Sequence, residues 1–139
     1  MAQMNDIGDR VRVSGRLTPK ALSGLIDGNV LIFCDIEGDE FELLDPEKVG
    51  ERIDQADLIV ELHDEMVGKQ EQAREFFAKM QFAHDVSVIE HGGRDPRTVP
   101  SISSFSQLDI FLCSWEFRPC ATPWGVFLSK AHADTVSGT

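Results

Sequence analysis

The order of apolar runs predicts an α/β fold: a three-layer domain with a mostly parallel sheet and a C-terminal antiparallel strand. Three observations carry that expectation. Short apolar runs suited to strands, Val30 to Ile36, Leu58 to Leu62 and His84 to Ile89, alternate with segments whose apolar residues recur at helical spacing. The first two runs end in charged groups, Asp35-Ile36-Glu37-Gly38 and Glu61-Leu62-His63-Asp64, and the carboxyl ends of strands are where open parallel sheets bind ligands. A last run, Pro123 to Leu128, begins with a proline, which suits an antiparallel strand at or near a sheet edge.

In chain order, Val11 and Val13 alternate with Arg10, Arg12 and Ser14, the pattern of a short half-exposed strand closed by Gly15. Thr18-Pro19 supplies an N-cap and a proline at the first helical position; Leu22, Leu25 and Ile26 share a face, and Gly28 ends the helix. After the Val30 to Ile36 strand, Phe41 and Leu44 begin a helix that Asp45-Pro46 breaks and restarts, turning Val49 and Ile53 inward. Gly68 precedes the most regular helix, where Ala73, Phe76, Phe77 and Met80 follow the i, i+3, i+4, i+7 pattern and Glu75 faces Lys79. The His84 to Ile89 strand, with Val86 and Val88 on one face, stops at Gly92-Gly93. Residues 94–106 read as a loop rich in Pro, Ser and Thr. From Leu108 to Phe117 the apolar residues are nearly continuous, so helix and buried strand both fit, with helix preferred. Residues 133–139 read as a disordered tail.

Composition bounds the function classes. The 139 residues, 42% hydrophobic and 27% charged, suffice for a single domain, 1–139, that buries roughly two thirds of its unfolded surface. A net charge of -11 argues against nucleic acid and anionic membranes as partners, because both are recognised by clustered Lys and Arg. Cys34, Cys113 and Cys120 form no CxxC pair, so neither a disulfide framework nor a zinc motif is expected, and reduced thiols in a soluble cytoplasmic protein fit best. Cys113 and Cys120 read as small buried hydrophobes. His84 and His91 read as surface groups and His132 as part of the tail.

The chemistry concentrates at the two acidic stretches. Asp35 and Glu37 lie two residues apart, as do Glu61 and His63, so each pair shares one side of its strand and the four converge if the strands are parallel neighbours. These four are the candidate catalytic residues. Asp35, Glu37, His63 and Asp64 are the candidate ligands for a divalent metal, for which carboxylate and imidazole donors are suited. His63 beside a carboxylate is also a natural general base. Against this, Asp35 capping a helix and His63 bonded to backbone account for the same residues structurally.

The order of elements, Asp35-x-Glu37-Gly38 ending one strand, Leu43-Leu44-Asp45-Pro46 in the broken helix, Glu61-x-His63-Asp64 ending the next, and Trp115-Glu116-Phe117-Arg118-Pro119 before Pro123-Trp124, resembles the later two thirds of a class I S-adenosylmethionine-dependent methyltransferase domain of the FkbM type. That resemblance implies a Rossmann-like partial domain, methyl-transfer chemistry and S-adenosylmethionine as cofactor. The family's glycine-rich turn, which lets backbone N–H groups approach the cofactor, has no counterpart: no two glycines fall in a G-x-G arrangement. The resemblance therefore describes a domain truncated on its N-terminal side, or one half of a split enzyme, with the missing half supplied by a partner.

In the full fold the family's first strand lies beside the strand that Val30 to Ile36 represents, so that strand has an orphan edge. Two outcomes follow: Arg10 to Ser14 fills the place, or a second copy pairs there. The aromatic residues Phe76, Phe77, Phe111, Trp115 and Trp124 add to the expectation of a homodimer. Three functions stand together: a methyltransferase-like protein, a non-catalytic dimeric assembly module on the same fold, and a small metal-dependent enzyme using the Asp/Glu/His cluster.

Overall fold

In the computed structural model, residues 8–64, 68–90, 99–102, 104–114, 120 and 122–132 are described. They form helix α1 (Pro19–Leu25), strand β1 (Val30–Cys34), helices α2 (Glu40–Leu43) and α3 (Pro46–Val49), a 3₁₀ turn Glu51–Gln55, strand β2 (Ala56–Glu61), helix α4 (Gln70–Met80), strand β3 (His84–Ile89), helix α5 (Gln107–Ser114) and strand β4 (Trp124–Ser129). The four strands make one sheet in the order β1-β2-β4-β3. β1 and β2 pair in parallel, Val30 opposite Ala56 and Cys34 opposite Val60. β4 is antiparallel to both its neighbours, with Ile59 opposite Val126 and Val86 opposite Phe127.

The α/β class holds, but the mostly parallel sheet does not: β1–β2 is its one parallel pair among the described residues. β4 does not take an edge; it inserts between β2 and β3. Alternation explains why it suits the centre: Gly125, Phe127 and Ser129 are buried on one face, and Pro123 lies just outside the strand, where it costs no ladder bond. A Cβ on Gly125 would meet the Phe127 ring at 2.8 Å, so this central position is confined to glycine unless the ring moves.

The core lies on that face. Cys34, Ala56, Leu58, Val60 and Phe127 from the sheet pack with Leu22, Phe41, Leu44, Val49, Ile53, Ala73, Phe76 and Met80 from the helical side. The Phe127 ring contacts both Phe76 and Phe77 at 5.3 Å; truncating so buried an aromatic costs about 3–5 kcal/mol. The sequence pattern predicts a third layer on the opposite face, yet among the described residues Leu31 and Phe33 of β1, Leu128 of β4 and Ile89 of β3 are exposed. Phe33 leans on Trp124, their centroids 5.0 Å apart.

Several expectations change locally. Arg10 to Ser14 forms no strand: Gly8–Arg10 is a 3₁₀ turn and Val13 is 92% exposed, because two alternating valines cannot hold a strand without a neighbour to bond. The β1 edge therefore stays unpaired among the described residues. In α1, Thr18 caps through its hydroxyl to the Ala21 N–H, Leu22 and Ile26 turn inward, but the helix ends before Ile26 and leaves Leu25 exposed. β1 stops at Cys34 and β2 begins at Ala56. The broken helix appears as α2, α3 and the 3₁₀ turn, with Asp45 capping α3 through the Glu47 N–H.

Lys79 turns from Glu75 to Asp45 and Glu47, each at 3.2 Å, because α4 packs beside α3 and offers a two-carboxylate alternative. His84 is buried rather than a surface group, held between the carbonyls of Met80 (3.2 Å) and Ala56 (3.0 Å) on the covered face of β3. His132 lies 3.5 Å from Asp57. Cys113 is exposed and Cys120 half-buried, not core residues; α5, which settles residues 107–114 as helix, does not turn Cys113 inward. The readings at His91, Trp115, Arg118 and the tail 133–139 lie outside the described residues. Among the described residues no helix is long and apolar enough to cross a membrane.

Candidate functional site

β1 and β2 run side by side in the same direction, so their carboxyl ends open onto one crevice. The chain leaving β1 makes a tight turn through Asp35, Ile36, Glu37 and Gly38. Glu37 has φ of 58° and Gly38 of 112°, both in the left-handed region that glycine tolerates and glutamate does not favour. The residue after β2 that matters most is His63, whose ring is wholly buried.

Its two nitrogens have different surroundings. Nδ1 lies 2.7 Å from Oε1 of Glu40, a residue 0% exposed at the start of α2. That oxygen also accepts the Gly38 N–H at 2.9 Å and the Ile36 N–H at 3.4 Å. An oxygen already accepting two backbone donors accepts again from the ring, so Nδ1 carries a hydrogen. Nε2 then faces the crevice, with Glu37 Oε2 at 3.3 Å, Glu61 Oε2 at 3.6 Å and Asp35 Oδ1 at 3.8 Å. Glu61 is buried and oriented by Thr122, whose hydroxyl donates to its Oε1 at 2.6 Å. Lys69 closes the turn from outside, donating to the Gly38 carbonyl at 2.6 Å.

Four carboxylates thus surround one imidazole. Two like charges 4 Å apart repel by about 4 kcal/mol at an effective dielectric constant of about 20, a repulsion that favours the neutral form of a carboxyl. Burial, then a hydrogen bond with Glu61 and the negative charges of Glu61 and Glu37, holds the Asp35 carboxyl above its ordinary range, while His63 pulls it down. Next to it, burial and the charges of Glu40 and Asp35 push the Cys34 thiol up to about 12, so Cys34 is no nucleophile.

The four candidate catalytic residues, Asp35, Glu37, Glu61 and His63, come together as the pairing of their spacings predicts. Asp64 does not join them. The next residue after His63 points elsewhere, and Asp64 lines a separate groove with Gln70, Arg74 and Phe77. Asp35, Glu61 and His63 offer one donor atom each, all within 4.8 Å of one another. Glu40 and Thr122 escape the sequence reading. Glu40 had a signal, a carboxylate in the first turn of a helix just after a glycine turn; Thr122 had none. A groove of about 410 Å³, lined by Arg16, Leu17, Pro19, Ile36, Asp39 and Leu43 among others, flanks the same turn.

No family model, curated protein or solved structure matches the chain. The site must be read from its own geometry.

That geometry bears on the implied S-adenosylmethionine. Gly28, Gly38, Gly50 and Gly68 have positive φ, but they lie far apart in the chain, each in a separate turn, and make no glycine-rich loop of successive N–H groups. Among the described residues no such loop flanks the crevice residues. What they fit is a polar acceptor: an acidic, partly desolvated crevice that takes hydrogen bonds from hydroxyl or ammonium groups and repels anions.

Proposed function

We propose that this chain is the acceptor-side half of a methyltransferase-like domain. The observation that carries the reading is the delivery, by two adjacent parallel strands, of the Asp-x-Glu-Gly and Glu-x-His groups into one crevice, together with an antiparallel final strand. In this reading the crevice orients a hydroxylated acceptor and its carboxylates and imidazole receive the proton that the acceptor loses. The methyl donor is held by residues outside this chain, since no glycine among the described residues offers a cradle.

The test is to co-express the chain with the polypeptide encoded immediately upstream. A glycine-rich strand-turn-helix unit there, binding S-adenosylmethionine by calorimetry and releasing S-adenosylhomocysteine in the presence of polyhydroxylated acceptors, is the expected result; Glu61→Gln should abolish release while leaving donor binding intact. An upstream region without such a unit, or turnover indifferent to Glu61→Gln, ends the reading.

A second reading has its own observation. The β1 edge, unpaired among the described residues, and the exposed Leu31, Phe33, Ile89 and Leu128 on one sheet face favour an assembly module in which a second copy of the chain covers that surface.

A further inference from the structure

We propose that Asp35, Glu61 and His63, with Glu37 at the rim, form a binding site for one divalent cation of the Mn²⁺ or Zn²⁺ type. The inference shares the crevice with the acceptor reading but does not rest on it, because a metal titration needs neither donor nor acceptor.

Three features point to an ion. The first is spacing. Donors bound about 2.1 Å from a common ion stand roughly 3.0–3.4 Å apart at the edges of an octahedron or tetrahedron. Nε2 lies 3.6 and 3.8 Å from Glu61 and Asp35, and the three donor atoms lie within 4.8 Å of one another, so a small rotamer shift of the exposed Asp35 brings them onto one ion, with Glu37, 3.3 Å from Nε2, at the rim. The second is orientation. Glu40 fixes Nδ1–H at 2.7 Å, which leaves Nε2 as the nitrogen directed at the carboxylates and the one an ion would take in place of a proton; a carboxylate behind a ligating histidine is the usual way a protein sets its orientation. Thr122 does the same for Glu61.

The third is Glu40 itself. It is 0% exposed, and its Oε2 has no hydrogen-bond partner among the described residues. A buried carboxylate left half satisfied beside four other ionisable groups is an arrangement that added positive charge stabilises. A divalent ion on the far side of the His63 ring supplies it through the polarised imidazole. One nitrogen and up to three carboxylate oxygens suit Mn²⁺ or Zn²⁺ better than Ca²⁺, which takes oxygen ligands alone, and leave positions for water or a substrate hydroxyl. With the ion in place His63 is a ligand, and the acceptor hydroxyl is acidified by coordination instead.

The experiment is calorimetric titration of the chelator-treated chain with MnCl₂, ZnCl₂ and MgCl₂, with the Mn²⁺ spin-resonance spectrum and the melting temperature as parallel readouts. Saturable binding of one Mn²⁺ or Zn²⁺ per chain, with a higher melting temperature and weaker binding of Mg²⁺, is expected. Asp35→Asn lies at the exposed rim and should fold; it should weaken binding at least about tenfold, and Glu40→Gln, through the orientation of His63, by about 10- to 100-fold. Absence of binding by all three metals up to about 1 mM, the weak limit of biological oxygen-ligand sites, overturns the proposal. So does binding that Asp35→Asn and Glu40→Gln both leave unchanged.

Discussion

The Nδ1–H of His63 donates to Oε1 of Glu40 at 2.7 Å, and both side chains are fully buried. One oxygen therefore gathers three donors from two connected segments, the β1–α2 turn and the end of β2. Removing it strands all three. Glu40→Ala should cost about 3 kcal/mol or more of unfolding free energy, because it leaves a buried imidazole and two turn N–H groups unpaired. Glu40→Gln keeps an acceptor at the same place and should cost clearly less. Urea denaturation of both variants measures the difference; equal stabilities would show that Glu40 does not organise the turn.

Glu37 occupies a left-handed backbone conformation, φ 58°, which costs a non-glycine residue of order 1–3 kcal/mol. The ranking of substitutions follows from that conformation. Glu37→Gly should be neutral or stabilising by up to about 1 kcal/mol, Glu37→Asn near neutral, and Glu37→Val destabilising by about 2 kcal/mol, since a β-branched residue tolerates that region worst. Thermal melts of the three variants give the order. Valine tolerated as well as glycine would mean that the turn relaxes when Glu37 is lost.

What could be read from the chain divides along the range of the interactions involved. Phe76, Met80 and Ala73 follow from helical periodicity, and the break at Asp45-Pro46 from the missing proline N–H, because both are decided within a few residues. The position of β4 between β2 and β3 is not local: Phe127 packs there against Phe76 and Phe77, about 50 residues away in the chain. His84 is buried for the same reason, its partners being carbonyls brought in by folding. The site shows both cases. Asp35, Glu37, Glu61 and His63 converge because strand spacing and parallel pairing suffice to bring them together, while Thr122 reaches Glu61 only through the β4 insertion, 61 residues on.

Asp35 gives the pH dependence. Its carboxyl is held above the ordinary value of 3.8, first by burial and then by Glu61. Below that value the group is protonated in both folded and unfolded chains, and its contribution to stability is fully present. As pH rises, the unfolded chain releases the proton first, so stability from this group falls until the pH passes the raised folded-state value. Relative to wild type, Asp35→Asn should therefore gain stability between about pH 4 and 7, where ordinary carboxylates are ionised. Parallel melting curves with pH would show this; a constant difference across that range would place the Asp35 carboxyl at its ordinary value.

The thiols should separate cleanly. Burial and the neighbouring Glu40 and Asp35 charges push Cys34 up to about 12, whereas Cys113 is exposed. At neutral pH only the thiolate reacts with an alkylating agent. Iodoacetamide should modify Cys113 within minutes and leave Cys34 intact until denaturant is added, as peptide mass spectrometry would reveal. Rapid loss of Cys34 in the folded protein would mean that the β1 end opens on that timescale.

The β1 edge supplies the last prediction. Among the described residues β1 bonds β2 on one side only, and Leu31 and Phe33, 61% and 65% exposed, project from it onto the face opposite the core. An apolar edge strand is a template for another strand, and proteins that keep one exposed usually guard it with charge. Leu31 and Phe33 carry none. A second copy pairing along β1 would join two sheets and bury both residues, so light scattering at micromolar concentration should give twice the chain mass. Leu31→Lys with Phe33→Lys should return the monomer mass without loss of the melting transition, since neither side chain belongs to the core. A wild-type chain that scatters as a monomer leaves the edge to a different strand, and the acceptor-side reading would then identify it as part of the donor-binding half.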